Sequence, residues 1–331
     1  MKKMILSLVA TMLYATATFA QSSMLATLSH DGTISTFYGS RALREAYNAA
    51  QNGDVITLSS GTFNAVDIAK AVTIRGAGMG IDSTANTEPT IITGDFKIAI
   101  PDSVTARLTL EGLYHNHTIT IATDCNLMNA TFLKCRLNVL NYQNANSCIV
   151  TNLTLIHCKV ANSVSFTSNS SASMVNCCIM DVPQYATVEY VNCIVKDSNF
   201  SYTDKSSFKN CVLITTGNSS YLSLGAVAYN CIGIGSNILF RDIPNTTNVI
   251  KGYTDIFKTF EGTYNDNESF ELTETSKTAY KGIDGTQVGI YGGNMPFSIT
   301  PSNPQITKCY VAAKSTADGK LSVDITVNGA E

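Results

Sequence analysis

Charge is scarce in this 331-residue chain: Asp, Glu, Lys and Arg make up 14% of it, and 22 basic residues stand against 25 acidic ones. No basic face is on offer, so nucleic acid is excluded as a partner. No Cys-x-x-Cys and no histidine pair has structural-zinc spacing. His115 and His117 alternate and are expected to share a face, but the sequence shows no third ligand beside them, and no metal is assigned. Ser-His-Asp and Cys-His nucleophile signatures are missing as well. So are phosphate-cradling loops: Gly76-x-Gly78-x-Gly80 lacks the strand-to-helix setting that such a motif needs and reads as a turn. Long apolar runs are also lacking. Met4 to Leu13 is too short to span a bilayer, and no later segment qualifies, so no transmembrane segment is expected. With Lys2 and Lys3 ahead of it and small residues up to Ala20 behind, it reads as a secretory signal over residues 1–20. The mature chain is expected in the periplasm, at the cell surface or outside the cell.

What the chain has is a repeat. Between Met128 and Ser236 a polar residue, a cysteine and apolar residues recur: Lys134-Cys135, His157-Cys158, Asn176-Cys177, Asn192-Cys193, Asn210-Cys211 and Asn230-Cys231. A period near twenty residues is the mark of a solenoid whose coils bury their apolar faces only against neighbours, and it suits one turn of a parallel β-helix. Alternation along a strand points each cysteine inward together with the residue two further on. Leu137, Val160, Val195 and Leu213 obey this; Gly233 does not, and the Cys177-Cys178 doublet leaves one register open. Stacked coils place Cys135, Cys158, Cys177, Cys193, Cys211 and Cys231 in one interior column. There they act as small buried hydrophobes, since parallel side chains in a column meet disulfide torsions poorly. Asparagine tolerates a left-handed backbone and suits a sharp turn before a strand. Asn176, Asn192, Asn210 and Asn230 are expected to stack and to bond each other's amides as a ladder.

Ahead of the repeat, Ser40 to Ala50 has helical spacing, with Ala42, Leu43, Ala46, Tyr47 and Ala50 on one face, Ser40 as N-cap and Asn52-Gly53 as stop. Such a helix, at about 40–51, would close the open edge of the first coil. From about Ile250 the chain is rich in aromatic residues, and Asp318-Gly319 marks a hairpin joining Lys308–Ala313 to Leu321–Val327. The outward residues just after the cysteines run Arg136, Lys159, Cys178, Ile194, Val212 and Ile232. An exposed apolar stripe needs a cover, and the C-terminal segment is expected to supply it.

Ala42-Leu43-Arg44-Glu45-Ala46, Asn52-Gly53-Asp54-Val55-Ile56-Thr57-Leu58, Gly61-Thr62-Phe63 and Val72-Thr73-Ile74-Arg75-Gly76-Ala77-Gly78 fall in the order of helix, Gly-Asp turn, strand, corner and strand. Near the far end come Phe270-Glu271-Leu272-Thr273, Ala279-Tyr280-Lys281-Gly282 and Asp284-Gly285-Thr286-Gln287-Val288-Gly289-Ile290-Tyr291-Gly292-Gly293. These segments resemble the opening and closing parts of secreted bacterial β-helix proteins of the pectate-lyase-like superfamily, especially members from the Bacteroides group. With the middle repeat, the resemblance covers roughly residues 40 to 300. It implies an all-β fold: a single-stranded right-handed parallel β-helix over residues 21–250 with an N-terminal capping helix, then a C-terminal β extension, the cover segment and hairpin of residues 251–331. The fold hosts lyases, hydrolases, epimerases and adhesins, so it does not fix the function.

Lyases of this fold work on the outer face of the coils, with Ca²⁺ held by carboxylates and an Arg or Lys as base. Arg136 and Lys159 occupy one slot on successive coils, with Lys134 and His157 two residues earlier, and the four are the candidate basic patch for an acidic sugar. Asp181, Asp197 and Asp204 follow later cysteines at unequal offsets and need not stack. Asp266, Asn267, Glu268 and Glu271 form the densest acidic run but lack calcium-loop spacing and read as a solvated loop. Catalytic residues are not identified. The leading expectation is a non-catalytic protein that binds polysaccharide or a cell-surface glycan through rows of Asn, Ser, Thr and Tyr, without a cofactor. A polysaccharide lyase, with Ca²⁺, is the alternative, and a structural or host-interaction surface protein the third reading.

Overall fold

The computed structural model describes residues 24–81, 88–122, 125–142, 148–243, 247–300, 302, 305–311, 318–320 and 322–328; the expected signal, residues 1–20, lies outside them. Two long sheets run side by side. The first stacks Val55–Leu58, Thr73–Arg75, Leu108–Glu111, Ala130–Leu133, Leu153–Ile156, Ser171–Val175, Thr187–Val191, Ser207–Lys209 and Val227–Tyr229 in parallel. The second carries the partner strand of each coil, among them Arg136–Tyr142, Lys159–Val164, Cys178–Ile179, Ile194–Asp197, Val212–Thr215 and Ile232–Ile234. Crossing from one sheet to the other once per coil, the chain winds through about nine turns of a right-handed parallel β-helix.

In seven successive coils a single left-handed residue makes the turn from the first sheet to the second. Gly112, Lys134, His157, Asn176, Asn192, Asn210 and Asn230 all have positive φ, between 49° and 62°. Their backbone N–H groups still join the ladder: Asn176 donates to Val191 O, Asn192 to Lys209 O and Asn210 to Tyr229 O, at 2.9–3.0 Å. A left-handed residue turns the chain sharply without losing the ladder bond, which is why asparagine and glycine fill most of the slots. The cysteine that follows points inward. All six in the column are buried, and each Sγ donates to a carbonyl of the coil before it, as Cys193 does to Met174 O at 3.1 Å. The nine cysteines whose side chains are described are free thiols.

Leu137, Val160, Val195 and Leu213 lie in the same interior as the cysteines. The doublet resolves with Cys177 inside and Cys178 outside, paired with Lys159 and Ile194 on its neighbours. Gly233 breaks the pattern for a steric reason. A Cβ there would come within 2.7–2.9 Å of Ile250, Phe240 and Leu239, which close the last coil.

At the start, β1 (Leu25–His30) pairs antiparallel with Val55–Leu58 and with β2 (Thr33–Tyr38). Helix α1 (Ala42–Ala49) buries Ala42, Leu43, Ala46 and Tyr47, as the spacing predicts. Its N-cap is Arg41, without a side-chain cap, and not Ser40. Tyr47 anchors it, its hydroxyl accepting from Ala69 and Lys70 N–H at 2.6 and 2.8 Å.

The C-terminal cover is real. Cys178, Ile194, Val212, Ile214, Ile232 and Ile234 pack with Ile256, Phe257, Phe260, Phe270, Leu272, Val288 and Ile290 into a second apolar core outside the solenoid. Each fully enclosed side chain of this size contributes about 1.5–3 kcal/mol. The hairpin also forms, over Gln305–Val311 and Val323–Asn328, and among the described residues its strands pair only with each other.

Candidate functional site

The crossing corners do more than turn the chain. The asparagine amides do not bond one another as the ladder expectation has it; the cover segment takes three of the four instead, and Asn192 Oδ1 is buried without a hydrogen-bond partner. Asn230 Nδ2 donates to Lys281 O at 2.8 Å, Asn210 Oδ1 accepts from Ile283 N at 3.0 Å, and Asn176 Nδ2 donates to Ile290 O and Gly292 O at 2.7 and 2.8 Å. His157 continues the row through Nε2 and Met295 O, 2.9 Å apart. Residues 281–295 thus descend along the corner from the last coil toward the middle of the solenoid. Their glycines permit the contact, since a Cβ on Gly282 would lie 2.7 Å from the Asn210 amide. A true side-chain ladder occurs at another corner, where Asn152 Nδ2 donates to Asn129 Oδ1 at 2.7 Å.

The open basic patch is likewise corrected. Lys134 and His157 sit in the left-handed slot, where counting by twos along a strand fails, so the count does not place them on the face of Arg136 and Lys159; His157 and Lys159 meet through Phe297, whose ring centroid lies 6.0 Å from that of His157 and 5.9 Å from Lys159 Nζ. Arg136 and Lys159 are adjacent, as predicted, but the cover segment buries both. Arg136 grips Asp266 with two bonds, Nε to Oδ1 at 2.9 Å and Nη2 to Oδ2 at 3.2 Å, and reaches Asn116 Oδ1 with Nη1. The hydroxyls of Tyr264 and Tyr114 donate to the same carboxylate at 3.0 and 3.3 Å. Burial works to raise the Asp266 carboxyl, and these partners overcome it, holding it below the usual carboxylate range. Lys159 Nζ donates to the carbonyls of Asp266 and Glu268 at 2.8 and 3.1 Å, and burial lowers its pKa. Burial also lowers those of Lys134 and His157.

The acidic run is therefore not simply a solvated loop. Asp266 is the clamp on Arg136, Glu268 Oε1 accepts from Thr259 and from the backbone of Ser269 and Phe270, and Glu271 pairs with Lys258 at 2.7 Å. Beside this clamp lies a cleft of about 780 Å³ between the second sheet, the 79–81 turn and the cover segment. Tyr114, Tyr291 and Phe297 give it aromatic faces; Asn267, Ser269 and Ser298 give it polar ends; Arg136 and Lys159 lie at its floor.

Sequence reasoning missed two features. Glu111 is buried, pairs with Arg75 at 3.0 Å and accepts from Ser302 N at 3.2 Å, tying the end of the cover segment to an early coil. Asp181 and Asp197 do stack, both accepting from Val182 N at 3.1 Å. Each lies four residues beyond its column cysteine, a signal that grouping them with Asp204 concealed. His115 is buried with Nε2 on Gly94 O at 3.0 Å, and its ring centroid is 6.0 Å from that of His117; among the described residues no group of three or more His, Cys, Asp or Glu is placed to hold a metal ion. No helix among the described residues is long and apolar enough to cross a membrane.

Compared with known proteins, the chain matches no family model, no curated protein and no solved structure.

Proposed function

We propose that this is an exported carbohydrate-binding solenoid without chemistry of its own, and that the cleft between the second sheet and the cover segment receives the glycan. The observation that carries the reading is the lining of that 780 Å³ cleft: three aromatic rings set among amide, hydroxyl and backbone groups. Sugar rings offer an apolar C–H face and a rim of hydroxyls, and a pocket with flat aromatic walls and a few directed polar groups matches both. The charges on the floor are already engaged. Asp266 answers Arg136, and two carbonyls hold Lys159, so the site fits binding better than proton transfer. The helix, Gly-Asp turn and closing glycine-rich segment support placing the chain in the pectate-lyase-like superfamily, and the lysine-led apolar stretch at Met4 to Leu13 supports export.

The test is binding of the full mature chain to a panel of neutral and uronate oligosaccharides, with Phe297→Ala and Asn267→Ala alongside. Removal of the ring is expected to weaken binding about tenfold. A panel in which nothing binds, or in which binding ignores both substitutions, overturns the reading. One observation favours a lyase as the second reading: desolvated Lys159, its pKa lowered, borders the cleft beside Arg136. Ultraviolet absorbance from unsaturated product, on mixing with uronate polymers and Ca²⁺, would establish that reading in place of the first.

A further inference from the structure

A second concavity lies where strands of the second sheet end, on a different side of the solenoid from the cleft. Its volume is about 440 Å³, within the span of small-ligand sites, and its lining includes Tyr142, Ser165, Ser168, Asp181, Gln184 and Tyr185. Three consecutive coils build it: Tyr142 ends one strand, Ser165 to Ser168 follow the next, and Asp181 to Tyr185 follow the third.

The rim carries an aromatic surface that the fold does not use. Tyr185 and Tyr202 are 48% and 40% exposed, with ring centroids 5.0 Å apart, and Tyr185 N donates to Tyr202 O at 2.9 Å. Tyr185 holds φ at 63°, in the left-handed region that a bulky residue enters at a cost. Every other left-handed residue named at the corners is a glycine, an asparagine, or a lysine or histidine packed by the cover segment or the next coil. Tyr185 alone among these presents a ring to solvent.

The floor is polar, and Asp181 is the one charged residue of its lining; the Lys205 ammonium reaches the rim only through Ser168 O, at 3.2 Å. Asp197 is buried and committed, Oδ1 to Asn199 N at 2.8 Å and Oδ2 to Val182 N at 3.1 Å, which leaves Asp181 as the carboxyl that faces the groove. Two stacked carboxyls repel an anionic ligand and accept hydroxyls, and Ser165, Ser168 and Gln184 add further hydroxyl and amide groups.

We propose that this groove is a second ligand site, distinct from the cleft, which takes one uncharged sugar ring, stacked on Tyr185 with its hydroxyls on Asp181. The cleft reading is independent of it: either site can bind without the other.

Ligand-observed saturation-transfer NMR on the full mature chain, with cello-, xylo-, manno- and maltohexaose and with oligogalacturonate as probes, tests it. At least one neutral probe is expected to give a saturable signal, and oligogalacturonate none that depends on this groove. Tyr185→Gly removes the ring while relieving the backbone, so the variant is expected to fold with an unchanged or higher melting temperature and to bind the neutral probe about tenfold more weakly. Asp181→Ala is expected to weaken it by a similar factor, with Val182 N still held by Asp197. No signal from any neutral probe overturns the proposal. So does a signal that survives both substitutions, and if that signal is lost in Phe297→Ala it belongs to the cleft.

Discussion

An asparagine at a corner of this solenoid serves the backbone and the cover segment at once, and two substitutions separate the parts. Asn176→Gly keeps the left-handed turn and drops the amide that bonds Ile290 O and Gly292 O. That leaves two carbonyls in a buried setting short of a donor, a loss of about 1–3 kcal/mol. Asn176→Ala loses the same bonds and adds the strain of a Cβ at φ 49°, about 1 kcal/mol more. Urea unfolding is expected to rank wild type above the glycine variant and the glycine variant above alanine. Equal stabilities for all three would show that the amide carries nothing. The cysteines one position on call for a different measurement. All six column thiols are enclosed, so a thiol reagent is expected to label none of the column in the native protein and all of it after unfolding without reductant. Asp181 is the residue whose effect on stability turns on pH. Burial first, and the neighbouring Asp197 second, raise its pKa from 3.8 to about 6. Between those values the native state holds a proton that the unfolded chain has released, so stability falls as pH rises through the window and then levels off. Asp181→Asn removes that penalty. At pH 7.5 it is expected to stabilise by about 1 kcal/mol, allowing for the solvent screening of a half-buried group, and at pH 3.5 to do nothing.

At the scale of elements, the cover segment is held by one polar clamp and one apolar face, and the sequence disclosed them unequally. The apolar face was legible: Ile194, Val212 and Ile232 stand in the outward slot after their cysteines, and an outward apolar stripe needs a partner. The clamp was not. Arg136 and Asp266 are separated by 130 residues, and nothing local marks them as partners. The four-residue basic set failed for a more specific reason. Lys134 and His157 occupy the left-handed corner, where the twofold period of a strand is interrupted, so they cannot be assigned to the face of Arg136 and Lys159 by counting. The cysteine interior and the left-handed turn were readable because six successive coils repeat them; the cleft was not, because it forms only where a non-repeating segment meets the repeat. The clamp also makes a quantitative expectation. Asp266→Asn leaves the Arg136 side chain, 9% exposed, without its counter-charge. A fully enclosed pair broken this way costs about 3–5 kcal/mol, and since the Asp266 side chain is 37% exposed, about 2 kcal/mol is expected. The carboxyl pKa is depressed in the fold, so this stabilisation is complete above the ordinary carboxylate pKa and is lost as pH falls through the lower, folded value. Thermal melts should therefore separate wild type from Asp266→Asn at neutral pH and bring them together in acid.

For the whole molecule, the two cores impose an order of dependence. The solenoid interior is closed at its start by the β1–β2 hairpin and α1, and near its end by Leu239, Phe240 and Ile250, with Asn248 standing in for a further coil by bonding Cys231 N and Ala228 O at 2.9 Å. Nothing in that interior requires residues beyond about 250. The outer face of the second sheet does require them: without the cover, Cys178, Ile194, Val212, Ile214, Ile232 and Ile234 form a continuous apolar strip along the coils. A chain ending at Ile250 is thus expected to keep the circular-dichroism signature of β-structure yet to elute as aggregates on size-exclusion chromatography. Replacing Ile194, Val212 and Ile232 with threonine in that shortened chain should return it to monomer, because those side chains belong to the outer core and not to the inner one. If the shortened chain loses its β-signal instead, the cover takes part in folding the coils themselves, and the two cores are one cooperative unit. If it stays monomeric and as stable as the full chain, burial of the stripe contributes nothing, and the cleft built on that cover loses its structural basis.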